Sequence, residues 1–221
     1  MCYTKTASGR CMRASAGCRN LFYQNHCRIP CGIHSVFSNT FIFDAENDGK
    51  EGYLYSLVTT SIIQGIKSIP VYVEADVSDG MPLFEMVGSL SPEVKESKER
   101  VRTALKNTGY ILPPKRITIN FIPANIRKTG SGFDLPVVAA VLCAIGIVPE
   151  EALKDTMVVG EISLSGDVKP VNGILPMVAE AKERGVTRCI VPAENQTEAL
   201  LVKEIEIFAV QSIAEMIHIL N

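Results

Sequence analysis

"GEISLSGDVKPVNGILPMVAEAKERGVTRCIVPAEN", Gly160 to Asn195, carries a hairpin, a helix and a strand in unbroken succession. "SGD" (Ser165 to Asp167) is a turn signal between the strand-like runs "TMVVGEISL" and "DVKPV". Asn172-Gly173 is a turn dipeptide, and Pro176 falls in the first turn of the helix "GILPMVAEAKERG", which Gly185 stops. "TRCIVP" then reads as a strand. Downstream, "NQTEALLVK" reads as a helix, "IEIFAV" as a strand, and "SIAEMIHIL" as an amphipathic helix capped by Ser212.

Upstream, "YSLVTTSIIQGIKSIPVYVEADVS" is rich in β-branched residues and breaks at Gly65, which predicts two strands; Val71, Val73, Ala75 and Val77 alternate along the second. "LFEMVG" is a third. "SLSPEVKESKERVRTALKNTG" is the clearest helix, with Ser91 as its cap, Pro92 at its first position and Gly109 beyond its end. Val94, Val101 and Leu105 form its apolar stripe, and Glu96 with Arg100 an i,i+4 pair. "KRITINFIP" is a strand with Ile117, Ile119 and Phe121 on one face, and Leu135 to Ile145 a helix apolar nearly all round, hence buried. Strands and helices mix without strict βαβ repetition, which favours an α+β or mixed α/β sheet with packed helices.

At 221 residues the chain suits one ample core or two small ones, and a net charge of −2 gives no general reason to expect a polyanion partner. The longest apolar run, Leu135 to Val148, is broken by Pro136 and Gly146, so no membrane span is expected. Cys143 and Cys189 stand alone in apolar segments, as small core residues do, and a reducing cytoplasm is the expected location. Residues 1–36 differ: they hold Lys5, Arg10, Arg13, Arg19 and Arg28 and no acid. Residues 1–52 are read as a basic, Cys-containing tail without regular structure or an extension upstream of the true start, and residues 53–221 as the folded domain. "CRIPCGIH" (Cys27 to His34) offers thiolates and an imidazole to zinc, but paired CxxC spacings are missing, and no metal site is assigned. A nucleic-acid-binding arm is the other reading of this tail.

The chain has no Walker A loop, no GxGxxG, no HExxH and no GxSxG. Chemistry concentrates in "KTGSGFD", Lys128 to Asp134. Gly130 and Gly132 permit tight backbone turns, Asp134 suits a helix N-cap, and the amides there could hold an anion. Ser131 is a candidate nucleophile, needing a lysine as its base, Lys169 or Lys182; the competing reading is a loop-to-helix junction.

At these two loops the sequence resembles a known family. Gly160 to Asn195 is similar to the Lon-protease pattern GEI-x-L-x-G-x-V-x-PVGGIK, helix, VP-x-EN. "IKSIPVYVEADVSDGMPLFEMVG", "VKESKERVRTALKNTGY" and "PPKRITINFIPANIRKTGSGFDLPVVAAV" extend the resemblance to the N-terminal domain of the magnesium-chelatase-like ComM/YifB family, over roughly Tyr53 to Asn221. The resemblance implies a ribosomal-protein-S5-domain-2-like α+β fold and a bacterial, cytoplasmic DNA-remodelling AAA+ protein. It implies a partner ATPase module, in cis or from a neighbouring gene, in a homo-hexamer, with ATP and Mg confined to that module and no cofactor in this chain. Lon's nucleophile lies in K-D-G-P-S-A-G; matching its first glycine to Gly130 puts Gly132 on the serine. Lon's lysine follows G-G-I, and Leu175 stands there. The resemblance therefore implies a non-catalytic Lon-like domain that supports ring assembly or DNA engagement. Its expected DNA or partner surface is Lys95, Lys98, Arg100, Arg102, Lys106, Lys115, Arg116, Arg127 and Lys128. The alternatives are a weak Ser131 peptidase of the Lon type and an inactive fragment of a split gene.

Overall fold

The computed structural model describes residues 54–221, together with the backbone of residues 3–5 and 11–13. The chain divides into two units, residues 1–38 and 39–221. In the first, β1 (Tyr3–Lys5) pairs antiparallel with β2 (Cys11–Arg13), a regular element within the tail that was expected to have none. The zinc reading of Cys27 to His34 and the expected boundary at residues 52 and 53 lie outside the described residues.

The second unit is built on a seven-stranded sheet. β3 (Leu54–Gln64) and β4 (Lys67–Ser78) form its central antiparallel hairpin, turning at Gly65, whose φ of 66° suits glycine. β6 (Arg116–Ile122) adds antiparallel to β4, and β5 (Leu83–Val87) closes that end parallel to β6. On the other side β7 (Thr156–Val158), β10 (Arg188–Pro192) and β11 (Glu206–Val210) follow in parallel. The order is β11-β10-β7-β3-β4-β6-β5. Four of the six pairings are parallel, so the expectation of a mixed sheet with packed helices holds in its coarse form.

The period-2 alternation read from the sequence determines which face is buried. Val71, Val73, Ala75 and Val77 of β4 and Ile117, Ile119 and Phe121 of β6 all point into one core. Three helices cover that face. α1 (Pro92–Asn107) lays down Val94, Val101, Ala104 and Leu105; α6 (Ile213–Leu220) lays down Ile213, Met216 and Leu220. Between them α2 (Asp134–Ala144) is buried at every position. Each Val or Leu so buried contributes about 1.5–3 kcal/mol, enough to hold a helix with no polar face. On the opposite face α4 (Ile174–Glu183) and the short α5 (Gln196–Ala199) bury Met157, Val159, Cys189 and Val191, and α4 also lies against β3 and β4.

Caps depart from expectation in two places. Ser91 has the extended backbone of an N-cap but its hydroxyl accepts no capping bond. Asp134 is the first residue of α2, not its cap; Phe133 precedes it with helical dihedrals. At α6 the expectation is met: Ser212 Oγ accepts from the Glu215 amide. "TMVVGEISL" is not one strand. Its first part is β7, and its second is β8 (Glu161–Ile162), which pairs with β9 (Val168–Lys169) in the hairpin read from "SGD". The expected helix from Asn195 to Lys203 shortens to a 3-10 turn, Ala193–Asn195, and α5.

Candidate functional site

The loop from Lys128 to Asp134 sits where β6 ends and α2 begins, beside the β8–β9 hairpin. Its backbone is stitched to the strand beyond β7: the Gly160 amide donates to Gly132 O at 3.1 Å, and the Leu135 amide to Gly160 O at 3.0 Å. Residue 160 can make this crossing because it is glycine; a Cβ there would lie 3.1 Å from Leu135 Cδ2 and 3.2 Å from Val168 Cγ1. The partner loop is clamped just as firmly. Asn195 accepts from the Val171 amide through Oδ1 and donates to Val171 O through Nδ2, both at 2.9 Å, which ties the "PAEN" end of the motif to its "KPVNG" start.

Asp134 is fully buried, and a buried carboxylate must be paired. Arg100 of α1 pairs with it in a bidentate fork, Nε to Oδ2 at 2.8 Å and Nη2 to Oδ1 at 3.0 Å. The Ile162 amide of β8 donates to Oδ2 at 3.3 Å. The hydrogen bond that Arg100 donates to Asp134 is the main cause that raises its pKa further, so the charge is permanent. One carboxylate thus joins α1, α2 and the hairpin. The i,i+4 pairing of Arg100 with Glu96 does not form, because Arg100 turns inward.

Lys128 is likewise buried, with no exposed surface. Its ammonium donates to Phe121 O at 3.2 Å and to Pro123 O. Burial pulls its pKa below the ordinary lysine value. Its own backbone bridges the segment before α1: the Lys128 amide donates to Ser89 O and the Ser91 amide to Lys128 O. Lys128 and Arg100 therefore leave the surface expected to meet DNA or a partner; both are spent inside the fold.

The other seven basic residues stay exposed or partly so. Arg102 lies 3.6 Å from Glu99, Lys115 3.0 Å from Asp79, and Arg116 2.8 Å from Glu85. Lys95, Lys98, Lys106 and Arg127 form no ion pair among the described residues. They do not converge with Ser131.

Ser131 is partly buried, and its hydroxyl donates to the Glu161 carboxylate. Among the described residues no lysine is its partner: Lys169 lies 3.9 Å from Asp167, and Lys182 2.8 Å from Glu204. Gly130, with φ of 87°, makes the turn before it. A Cβ on Gly132 would rest 3.4 Å from Val159 Cγ2 and 3.6 Å from Val171 Cγ1, in an apolar setting. Leu175 is partly exposed, with its amide donating to Glu198. Sequence reasoning missed Glu161 and the Arg100–Asp134 pair. A charged residue in the otherwise apolar "VVGEISL" was the only local sign of the first; nothing local marked a pair 34 residues apart.

The stretch of sequence that holds the loop and the hairpin falls within a region matched by a known family. The family model described as subunit ChlI of Mg-chelatase matches residues 73–195, more than half of the chain, which puts the class as magnesium-chelatase-like. The competence protein ComM of Haemophilus influenzae is 32% identical over 166 residues, covering 75% of this chain and 32% of that protein. YifB of Escherichia coli is 37% identical over 147 residues, 66% and 29%. Lon protease 2 of Bacillus subtilis is 34% identical over 145 residues, 62% and 26%. The chain belongs to the magnesium-chelatase-like ComM/YifB family. It spans about a third of the length of the curated relatives it matches, 32% of one and 29% of another. No helix among the described residues is long and apolar enough to cross a membrane.

Proposed function

We propose that this chain is a non-catalytic Lon-like domain of S5-domain-2-like topology that serves assembly of a ComM/YifB-type AAA+ ring. The observation that carries the reading is the partner of Ser131: a carboxylate, with Lys128, Lys169 and Lys182 each engaged elsewhere. A serine needs an unprotonated base strong enough to take its proton as it attacks; carboxylates are far weaker bases than a deprotonated lysine, and a well-matched base is worth about 100- to 10,000-fold. Gly132 and Leu175, at the positions where the Lon pattern has serine and lysine, support the same reading. The buried Arg100–Asp134 fork is what a rigid structural junction requires and a substrate loop does not. ATP and Mg are assigned to the ATPase module, in cis or from a neighbouring gene, in a cytoplasmic homo-hexamer. Among the described residues no group of three or more His, Cys, Asp or Glu converges as a metal-ligand set, so no residue here is given a role toward magnesium.

Incubation with a serine-reactive phosphonate and an unfolded casein substrate tests the reading. Neither labelling nor cleavage is expected; labelling lost in Ser131→Ala would overturn it. DNA engagement is the second part of the proposal and rests on Lys95, Lys98, Lys106 and Arg127. If they neutralise phosphates, the logarithm of the duplex affinity falls with the logarithm of salt by about 0.9 per phosphate contacted. A flat salt profile, or no binding at low salt, removes that part and leaves the assembly role.

A further inference from the structure

The sheet ends at β5, and that end is left open. Among the described residues β5 pairs on one side only, with β6. The Leu83 amide points to β6, donating to Lys115 O at 3.4 Å, so the alternation of a parallel ladder turns the N–H and C=O of Phe84 and Met86 outward. An unpaired strand edge is a template for another strand, and proteins usually blunt such edges with charge, proline or a covering element. Here Leu83 and Val87 are large exposed apolar residues on the strand, and Glu85 is neutralised by Arg116. A groove of about 270 Å³ runs between β5 and α1, and its α1 wall carries Lys95 and Lys98. Neither lysine forms an ion pair among the described residues.

We infer that the β5 edge is a docking site for an extended acidic segment of a partner protein, which adds to the sheet as an eighth strand. Main-chain bonds to Phe84 and Met86 supply the register, and carboxylates on alternate residues of the guest meet Lys95 and Lys98. A second copy of this chain fits less well. Antiparallel pairing of β5 with itself across a two-fold axis keeps both α1 helices on one face of the joined sheet. Four like-charged lysines would then face each other. The inference stands apart from the fate of Ser131, since the groove uses none of the loop residues.

The test uses the full chain and a fluorescein-labelled peptide of alternating Val and Glu, eight residues long, followed by anisotropy at low salt. Saturable binding is expected, with none for the Val-Lys counterpart. N-methylation of alternate peptide amides, which removes the ladder donors, is expected to weaken binding about tenfold or more. The surface double variant Lys95→Glu/Lys98→Glu is expected to do the same while unfolding at the wild-type urea midpoint. The inference is overturned if the acidic peptide does not bind, if the N-methylated peptide binds equally well, or if the double variant binds it unchanged. It is also overturned if duplex DNA binds through Lys95 and Lys98 and the acidic peptide cannot displace it.

Discussion

Arg100 and Asp134 lie 34 residues apart, yet the first turn of α2 depends on their contact. Asp134 has no exposed surface, whereas the Arg100 side chain keeps 25% of its own. Arg100→Leu strands the carboxylate in the core with a single amide donor. The expected loss is about 3 kcal/mol, at the low end for a broken buried pair because Arg100 is part-exposed, read from the urea midpoint. Lys128 makes a prediction in pH. Its native pKa is depressed by burial, while the unfolded value is about 10.4. Below the native value both states are charged and the burial cost is present in full. Between the two values the unfolded chain holds more protons, so stability rises with pH. Lys128→Met should lack that rise, and urea titrations up to pH 10.4 would show it. A series in which both proteins keep the same slope would contradict the assignment. Neither contact was legible in the sequence. Lysine beside a glycine-rich loop reads as surface, and Arg100 had a nearer acid in Glu96. Only the three-dimensional cost of an unpaired buried carboxylate chooses Asp134.

At the scale of elements the legible and the illegible separate cleanly by range. β4, β6 and α1 announce themselves because their burial pattern repeats with the period of the backbone, 2 or 3.6, and packing reinforces what local propensity begins. The split of "TMVVGEISL" does not repeat anything. It happens because the β7–β10 ladder ends with the Val159 amide on Ile190 O, and at Gly160 the backbone turns away to bond Gly132, a partner far off in the chain. The hairpin that follows is pinned to the end of α1. Asn107 Nδ2 donates to Leu164 O at 2.7 Å, and a Cβ on Gly166 would come within 2.3 Å of Thr108 Cγ2. Gly166 also holds φ of 91°. Gly166→Ala therefore meets both a clash and a strained backbone, and an expected cost of about 2 kcal/mol or more. Pairing it with Thr108→Ser removes the clashing Cγ2, keeps the hydroxyl that donates to Ala104 O and Leu105 O, and leaves the backbone part, about 1 kcal/mol. Equal losses in single and double variants would show that the contact is not the cause.

Seen whole, the second unit is a sheet covered on one face by α1, α2 and α6 and on part of the other by α4 and α5. The part left open lies over β5 and β6, beside which Tyr55 of β3 and Asn120 of β6 each donate to Glu74 of β4. That asymmetry was beyond reach of the sequence. Most helices and strands were readable, though the one-turn helix α3 (Glu150–Leu153) and the split of "TMVVGEISL" were not, and which helix lies over which strands depends on connections that periodicity does not encode. The family resemblance supplied the site correspondence, and the fold places Gly132 and Leu175 in the apolar and half-exposed settings described. The β5 edge was missed because "LFEMVG" shows only that a strand exists, not that it comes last in its sheet.

The knot of bonds at Gly132, Asp134, Gly160 and Ile162 has a dynamic consequence. These ties share atoms and neighbours, so they are expected to open together, the Ile162 amide with the carboxylate that joins α1 to α2. Its hydrogen should exchange with deuterium about as slowly as the most protected amides of β4, on the timescale of global unfolding. A loop that admits substrate breathes many times before the protein unfolds. This one is expected to keep still until everything else lets go.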